Sequence, residues 1–303
     1  MRIVVALGGN ALLERKDKPD AAVERHHIRD AAAALAPLAH DHQLIICHGN
    51  GPQVGLLAME SEADPALSRP YPLDALGAQT QGMIGYWLTQ ELRNCGVVSP
   101  IVAVITQTLV DSFDPGFASP TKFIGRSYSH QEALELAARH GWEVRADGAR
   151  WRRVVASPRP IGIIEQDSIS RLLDLGTVVV CGGGGGSPVI LDPAGQLRGV
   201  EAVVDKDYTS ARIAVNVGAD RLLLLTDVEA VMNDFGTPAA RAIDRISVDE
   251  LATLNLPAGS MGPKVAAAAW FTARTSHPSA IGALVQGAEV LSGRAGTTIT
   301  SHP

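Results

Sequence analysis

Short, continuous apolar runs, each parted from the next by a stretch of helical character, decide which architectures are open to this chain. RIVVAL at residues 2–7, LIIC at 44–47, TVVVC at 177–181 and RLLLL at 221–225 are the clearest, with further runs at 101–105 and 280–285. A strand with one wet face alternates apolar and polar residues; these runs do not alternate. Each therefore reads as a strand covered on both faces, with the helical stretches near 21–40 and 74–94 among the covers. Strands and helices in this order imply an α/β fold with a mainly parallel sheet. The 303 residues suffice for one large α/β domain or two fused lobes.

Residues 119–160 break the rhythm. They hold a helical stretch at 130–140 and then two alternating runs around Asp147-Gly148, a hairpin signal. This segment reads as a small protruding subdomain that closes over a ligand.

The points where strands end carry the chemistry. ALGGNAL follows the first run and HGNGPQVG follows the second, so Gly8, Gly9, Asn10, Gly49, Asn50 and Gly51 lie where the chain leaves a strand. Glycine lets backbone N–H groups approach an anion, and a following helix N-terminus adds positive potential. The tract Gly182–Gly186 stands between VVVC and PVIL, where a linker has no place. It reads as a loop at a strand's carboxyl end, the usual ligand edge of such sheets. Its spacing fits neither a dinucleotide fingerprint nor a P-loop.

GVEAVVDKD places Lys206 between Asp205 and Asp207 at an expected strand-to-helix junction. GSMGPKV places Lys264 in the first turn of a helix led by Gly262 and Pro263. The helix dipole disfavours a lysine there unless an anion offsets it. Solvated surface lysines are the bland alternative at both positions. Lys122, in SPTKFIG, carries little signal alone. His48 is the one histidine beside a glycine cradle, and hydrogen bonding suits it better than catalysis.

Several classes fall away. A net charge of −6 argues against a broad nucleic-acid face. Cys47, Cys95 and Cys181 are scattered and odd in number, which suggests neither a disulfide framework nor a zinc site. No metal-ligand spacing of histidines and no G-x-S-x-G occurs. The chain opens directly on strand residues, and no apolar run approaches about 20 residues. The expected location is cytoplasmic, with no membrane span.

Taken together, ALGGNAL, HGNGPQVG, DALGAQTQGMIGYW, SPTKFIG, WRRVVASPRP, CGGGGGSPV, GVEAVVDKD, LTDVEAV and GSMGPKV, in this order, resemble the carbamate kinase family of the amino-acid-kinase fold over essentially the whole chain. The resemblance implies a three-layer αβα sandwich with a small protruding subdomain at about 119–160. Residues 1–200 would form the lobe for carbamate or carbamoyl phosphate, and residues 201–303 the nucleotide lobe. It implies phosphoryl transfer between carbamoyl phosphate and ADP, with Mg2+ accompanying ATP or ADP, in a homodimer. By motif, Gly8, Gly9 and Asn10 would cradle the transferred group, with Gly49, Asn50 and Gly51 beside carbamate and Gly183 and Gly184 completing the phosphate site. Lys206, Lys264 and the mobile Lys122 would neutralise phosphate charge, and Asp207 would orient the lysines. Thr226, Asp227 and Val228 would border the nucleotide. The chain departs from the family in Phe123, where proline is usual, and in the loop 231–238, which lacks an expected tyrosine. Two rivals follow: another phosphotransferase of the same fold, and a non-catalytic sensor of carbamoyl phosphate or nucleotide. Retention of all four charged residues speaks against the sensor.

Overall fold

A computed structural model describes residues 1–9, 12–13, 17–251, 253–254 and 261–302. Its centre is an eight-stranded sheet in the order Arg245–Ser247, Thr297–Thr300, Ser279–Ala283, Arg221–Thr226, Arg2–Leu7, Gln43–His48, Val178–Val180, Ile101–Ala103. Every neighbouring pair is parallel except Ser279–Ala283 with Thr297–Thr300. The apolar runs are buried on both sides. Ile3, Val5 and Leu7 face one core with Ile28, Leu35, Ile84 and Leu88; Val4 and Ala6 face another with Ile169, Ile213, Val265 and Phe271. The helices Ala21–Asp41 and Leu73–Asn94 thus cover one face, and Gln166–Asp174, Lys206–Asn216 and Met261–Thr275 cover the other. The layers are helix, sheet, helix.

Strands from residues 1–200 and 201–303 belong to this one sheet. They meet where Arg2–Leu7 pairs with Arg221–Thr226, Leu7 opposite Leu225. Because the central strands are parallel, their carboxyl ends open on a single edge. Gly8, Gly49, Cys181 and Asp227 all leave the sheet there.

Two smaller sheets flank that edge. One has four strands, Leu197–Gly199, Ser187–Leu191, Gln107–Val110 and Pro160–Ile163. The other is the expected excursion: Lys122–Tyr128 pairs with Arg150–Val155, which pairs with Glu143–Asp147. Its helix His130–His140 is capped by the Ser129 hydroxyl, which accepts from the Glu132 N–H, and ends at the left-handed Gly141. Gly148 at φ +62° makes the turn that Asp147-Gly148 announced.

One element differs from its expectation. Residues 200–205 are not a strand; only Ala202 makes an isolated bridge, to Ala156. Val203 and Val204 are buried by packing rather than by sheet pairing. The junction leading to Lys206 is loop-to-helix.

Candidate active site

The helix Lys206–Asn216 starts where Asp205 caps it, the Asp205 carboxylate accepting from the Asp207 N–H at 2.9 Å. That cap turns Asp207 inward, to 4 % exposure. Asp207 accepts from Lys206 Nζ at 2.5 Å through one oxygen and from Lys264 Nζ at 2.9 Å through the other. Lys264 stands in the first turn of Met261–Thr275 and is itself buried. The two lysines are therefore not surface residues. A carboxylate joins them across two helices packed on the same sheet face.

The charges in this trio are strongly shaped by their setting. Burial alone would raise the Asp207 carboxyl, but the Lys206 and Lys264 ammoniums overcome it and hold the group well below the usual carboxylate range. Burial lowers Lys206, and the nearby Lys264 charge pushes the same way against the pull of Asp207. For Lys264 the desolvation is more than offset by the Asp207 charge and hydrogen bond, and its pKa is raised. The lysines share one partner and still diverge in direction.

The glycines build the floor. A Cβ on Gly49 would come within 3.0 Å of Gly9 Cα and 3.5 Å of Lys206 Cε, so the first two glycine loops touch each other beside the lysine. Gly184 adopts φ +63°, and a Cβ there would fall 2.2 Å from Asn50 Nδ2. Only glycine fits that contact. Asn50 is fixed from its other side, donating to Thr80 Oγ1 at 2.8 Å. Gly183 lies against the His48 ring. Burial pushes His48 down to about 4, with the Lys206 charge adding to it and the hydrogen bond to Gly49 O opposing it. His48 is thus a neutral packing and hydrogen-bonding group.

The backbone donors are unequally available. Gly8 N–H donates to Leu225 O at 2.7 Å and Gly49 N–H to Leu7 O at 3.2 Å. Among the described residues, none accepts from the N–H of Gly9, Gly183 or Gly184. Gly51 opens the helix Gly51–Ala63, where first-turn donors have no intrahelical acceptor. Buried N–H groups are ordinarily paired, so Gly183 and Gly184 mark a place for an anion or water. Gly8 and Gly49 serve by close approach instead. Asn10 lies outside the described residues.

The remaining expected residues adjoin this centre. Thr226, at the end of its strand, lies where a Cβ on Gly8 would be 2.9 Å from its Oγ1, and that hydroxyl donates to Asp227 Oδ1 at 2.9 Å. Val228 follows, partly exposed. Lys122, on the first strand of the protruding sheet, donates from Nζ to Asp205 Oδ2 at 2.7 Å. Asp205 is therefore both the helix cap and the partner of the flap lysine. Arg153 of the flap also reaches back, to Glu62 at 2.9 Å. Phe123 lies under the Arg152 guanidinium at 5.6 Å, and the aromatic in the loop 231–238 is Phe235, largely exposed.

Sequence reasoning missed several supports. Thr80 holds Asn50. Thr106 Oγ1 accepts from Gly182 N–H, and the Thr108 and Thr209 hydroxyls both donate to Gly185 O. No sequence signal marks these threonines, because their partners are distant in the chain.

The chain resembles known proteins over its full length. The family model described as the amino acid kinase family matches residues 1–282. A carbamate kinase of Rhizobium meliloti is 49% identical over 304 residues, covering 99% of this chain and 94% of the relative. One of Escherichia coli K12 is 47% identical over 298 residues, covering 98% and 99%. The structure of a Giardia lamblia carbamate kinase bound to AMP-PNP matches with a TM-score of 0.90 at 37% identity, covering 99% of this chain and 98% of that one.

Proposed function

We propose that this chain, which belongs to the amino acid kinase family, is a carbamate kinase that transfers a phosphoryl group between carbamoyl phosphate and ADP, giving ATP and carbamate. Carbamate then decays to ammonia and carbon dioxide. The observation that carries the reading is full-length identity of 47–49% to carbamate kinases, joined to the buried Lys206–Asp207–Lys264 trio at the ligand edge. The same observations disfavour another phosphotransferase of this fold and a sensor without catalysis.

Phosphoryl transfer asks the protein for position and charge more than for covalent chemistry. The N–H groups of Gly9, Gly51, Gly183 and Gly184 supply donors for the transferred group, and Asn50 orients the carbamate end. Gly8 and Gly49 allow the loops to meet. Lys206 and Lys264 neutralise charge as it moves from one bridging oxygen to the other. Asp207 is already ionised and doubly hydrogen-bonded, so it holds the lysines in place and takes no proton. Lys122 arrives with the flap. Residues 1–200 hold carbamoyl phosphate in this reading, and residues 201–303 hold the nucleotide at Thr226, Asp227 and Val228.

Magnesium accompanies the nucleotide. Among the described residues no three His, Cys, Asp or Glu side chains form a metal cage. The nearby carboxylates of Asp205 and Asp207 are engaged by ammonium groups. The site therefore suits a cation that would be held by phosphate oxygens and water and would supply positive charge to lower the repulsion between phosphates. No helix among the described residues is long and apolar enough to cross a membrane. A cytoplasmic homodimer completes the reading.

The test is ATP formation from carbamoyl phosphate, ADP and magnesium, set beside ADP formation from ATP with acetylglutamate or a nucleoside monophosphate. Turnover confined to the carbamoyl pair is expected. Turnover only with another acceptor, or with none, refutes it.

A further inference from the structure

The helices that carry Lys206 and Lys264 line a cleft with a second face. Tyr208 and Arg212 follow Lys206 by two and six positions, and Ala266 and Trp270 follow Lys264 by the same steps. At 3.6 residues per turn these positions lie roughly 200–240° around each helix from its lysine. They line a cleft of about 340 Å³ together with Arg159 and Pro160. The cleft thus lies behind the active site and is separate from it.

The Arg159 guanidinium sits 3.5 Å from the Tyr208 ring centroid, and the Arg212 guanidinium 4.7 Å from that of Trp270. Each arginine is fixed by an aromatic face, which leaves its N–H edge to donate. Arg212 gives one bond, from Nη2 to Pro160 O at 3.1 Å, and its buried Nε has no partner. Burial and the charge of Arg274, one turn beyond Trp270, both lower the Arg212 pKa, as expected of crowded cations. Other stacked arginines of the chain meet acids: Arg153 pairs with Glu62 and Arg152 with Asp147. Among the described residues no carboxylate pairs with the side chains of Arg159, Arg212 or Arg274. Asp114 accepts from the Arg159 backbone N–H at 3.0 Å, not from its side chain.

We propose that this cleft binds a small organic anion with at least two oxyanion groups, phosphate or carboxylate, one seated on each stacked guanidinium. A fixed guanidinium fork matches such groups in bidentate fashion. The volume is at the low end for small-ligand sites, which suits a compact polyanion rather than a nucleotide. The inference rests on the cleft alone and stands independently of the reaction assigned to the opposite face.

The test is isothermal titration of the full chain with inorganic pyrophosphate and, separately, with a tricarboxylate. A non-hydrolysable ATP analogue is kept saturating, so that the catalytic edge is occupied. The wild-type chain should bind one of the two anions with quenching of Trp270 fluorescence, and the tighter arm names the ligand chemistry. Arg159→Gln/Arg212→Gln should weaken that binding at least about tenfold, and Arg212→Lys, which keeps charge but loses the fork, should fall between. Unchanged affinity for the ATP analogue reports that the variants are folded. Arg159→Gln alone, at an exposed side chain, preserves the test where the double variant does not fold. Equal anion binding by the wild-type and variant chains, or none at millimolar anion, overturns the proposal.

Discussion

Replacing Asp207 by Asn asks whether the site works by fixed charge. The carboxylate is 4 % exposed and holds two ammoniums at 2.5 and 2.9 Å. An amide of the same shape keeps part of the hydrogen bonding and removes the charge, leaving two buried cations facing each other. Removing one partner from a buried ion pair costs about 3–5 kcal/mol when the other charge must stay. Here it need not stay. Burial already lowers Lys206, and the Asp207 charge and hydrogen bond are the main opposition, with a smaller pull from the Asp205 charge. In Asp207→Asn the cheaper outcome is loss of the Lys206 proton, which caps the folding penalty below that range and moves the loss into catalysis. A neutral Lys206 gives the migrating phosphoryl group no charge, and losing one preorganised donor lowers kcat by roughly 10²–10³. The sign with pH follows. Below the new Lys206 pKa the ammonium returns, so the variant's kcat deficit should narrow as pH falls from about 9 to about 6, while ADP affinity stays near normal. Initial rates of ATP formation across that range, for both enzymes, are the assay. A deficit constant with pH, or a kcat within a few-fold of wild type throughout, would refute the electrostatic account.

Three further outcomes are expected. His48 is pushed down to about 4 from the ordinary 6.5. The unfolded chain therefore takes up a proton that the folded one refuses, and stability falls as pH drops from about 6.5 to about 4, by up to ~3 kcal/mol; His48→Gln should flatten that part of the melting-temperature profile, and parallel profiles would sink the assignment. Chelation with EDTA should abolish ATP formation and added magnesium should restore it, whereas full turnover in excess chelator would contradict the charge argument. Hydrogen exchange across residues 119–160 should slow when a carbamoyl phosphate mimic and nucleotide bind together, and Lys122→Ala should lower kcat with little effect on nucleotide affinity. Unaltered exchange together with normal turnover in that variant would remove the closing flap.

How much of this was legible in the sequence depended on distance along the chain. The central strands were plain, because burial on both faces writes itself as unbroken apolar runs such as Leu222–Leu225. The flap hairpin was plain because a turn is local, and Asp147-Gly148 suffices to make it. Residues 200–205 looked like one more strand because VEAVV is apolar, but apolar character reports burial, not pairing, and Val203 and Val204 are buried without a ladder. Lys206 and Lys264 showed a helix start and hid their burial, since the Asp207 that links them lies 57 positions from Lys264. The spare N–H groups of Gly9 and the committed one of Gly8 are adjacent residues with opposite availability. Only the pairing with Leu225 separates them, and that comes from a strand more than 200 residues away. The arginine cleft is harder still, because three segments each contribute residues unremarkable alone.

The protruding sheet and the Lys206–Asp207–Lys264 trio are joined through Asp205, and the energetics of that joint suit the moving part that the proposed reaction needs. Asp205 accepts from Lys122 Nζ at 2.7 Å and from the Asp207 N–H at 2.9 Å. The Lys122 side chain keeps 34 % of its exposure, so this ion pair is worth no more than about 1 kcal/mol in water. Asp207 is nearly sealed and ionised by two lysines, so its contacts are costly to break. In the proposed reaction a phosphate entering the cradle would therefore draw Lys122 from Asp205 at small cost while the trio beneath stays in place. When Lys122 leaves, Asp205 keeps its backbone hydrogen bond and goes on capping the helix, so Lys206 and Asp207 are not disturbed. One carboxylate can thus hold the flap weakly and the helix start firmly, because its two partners differ in burial. In the proposed reaction that difference separates the part that moves from the part that stays preorganised for the transfer.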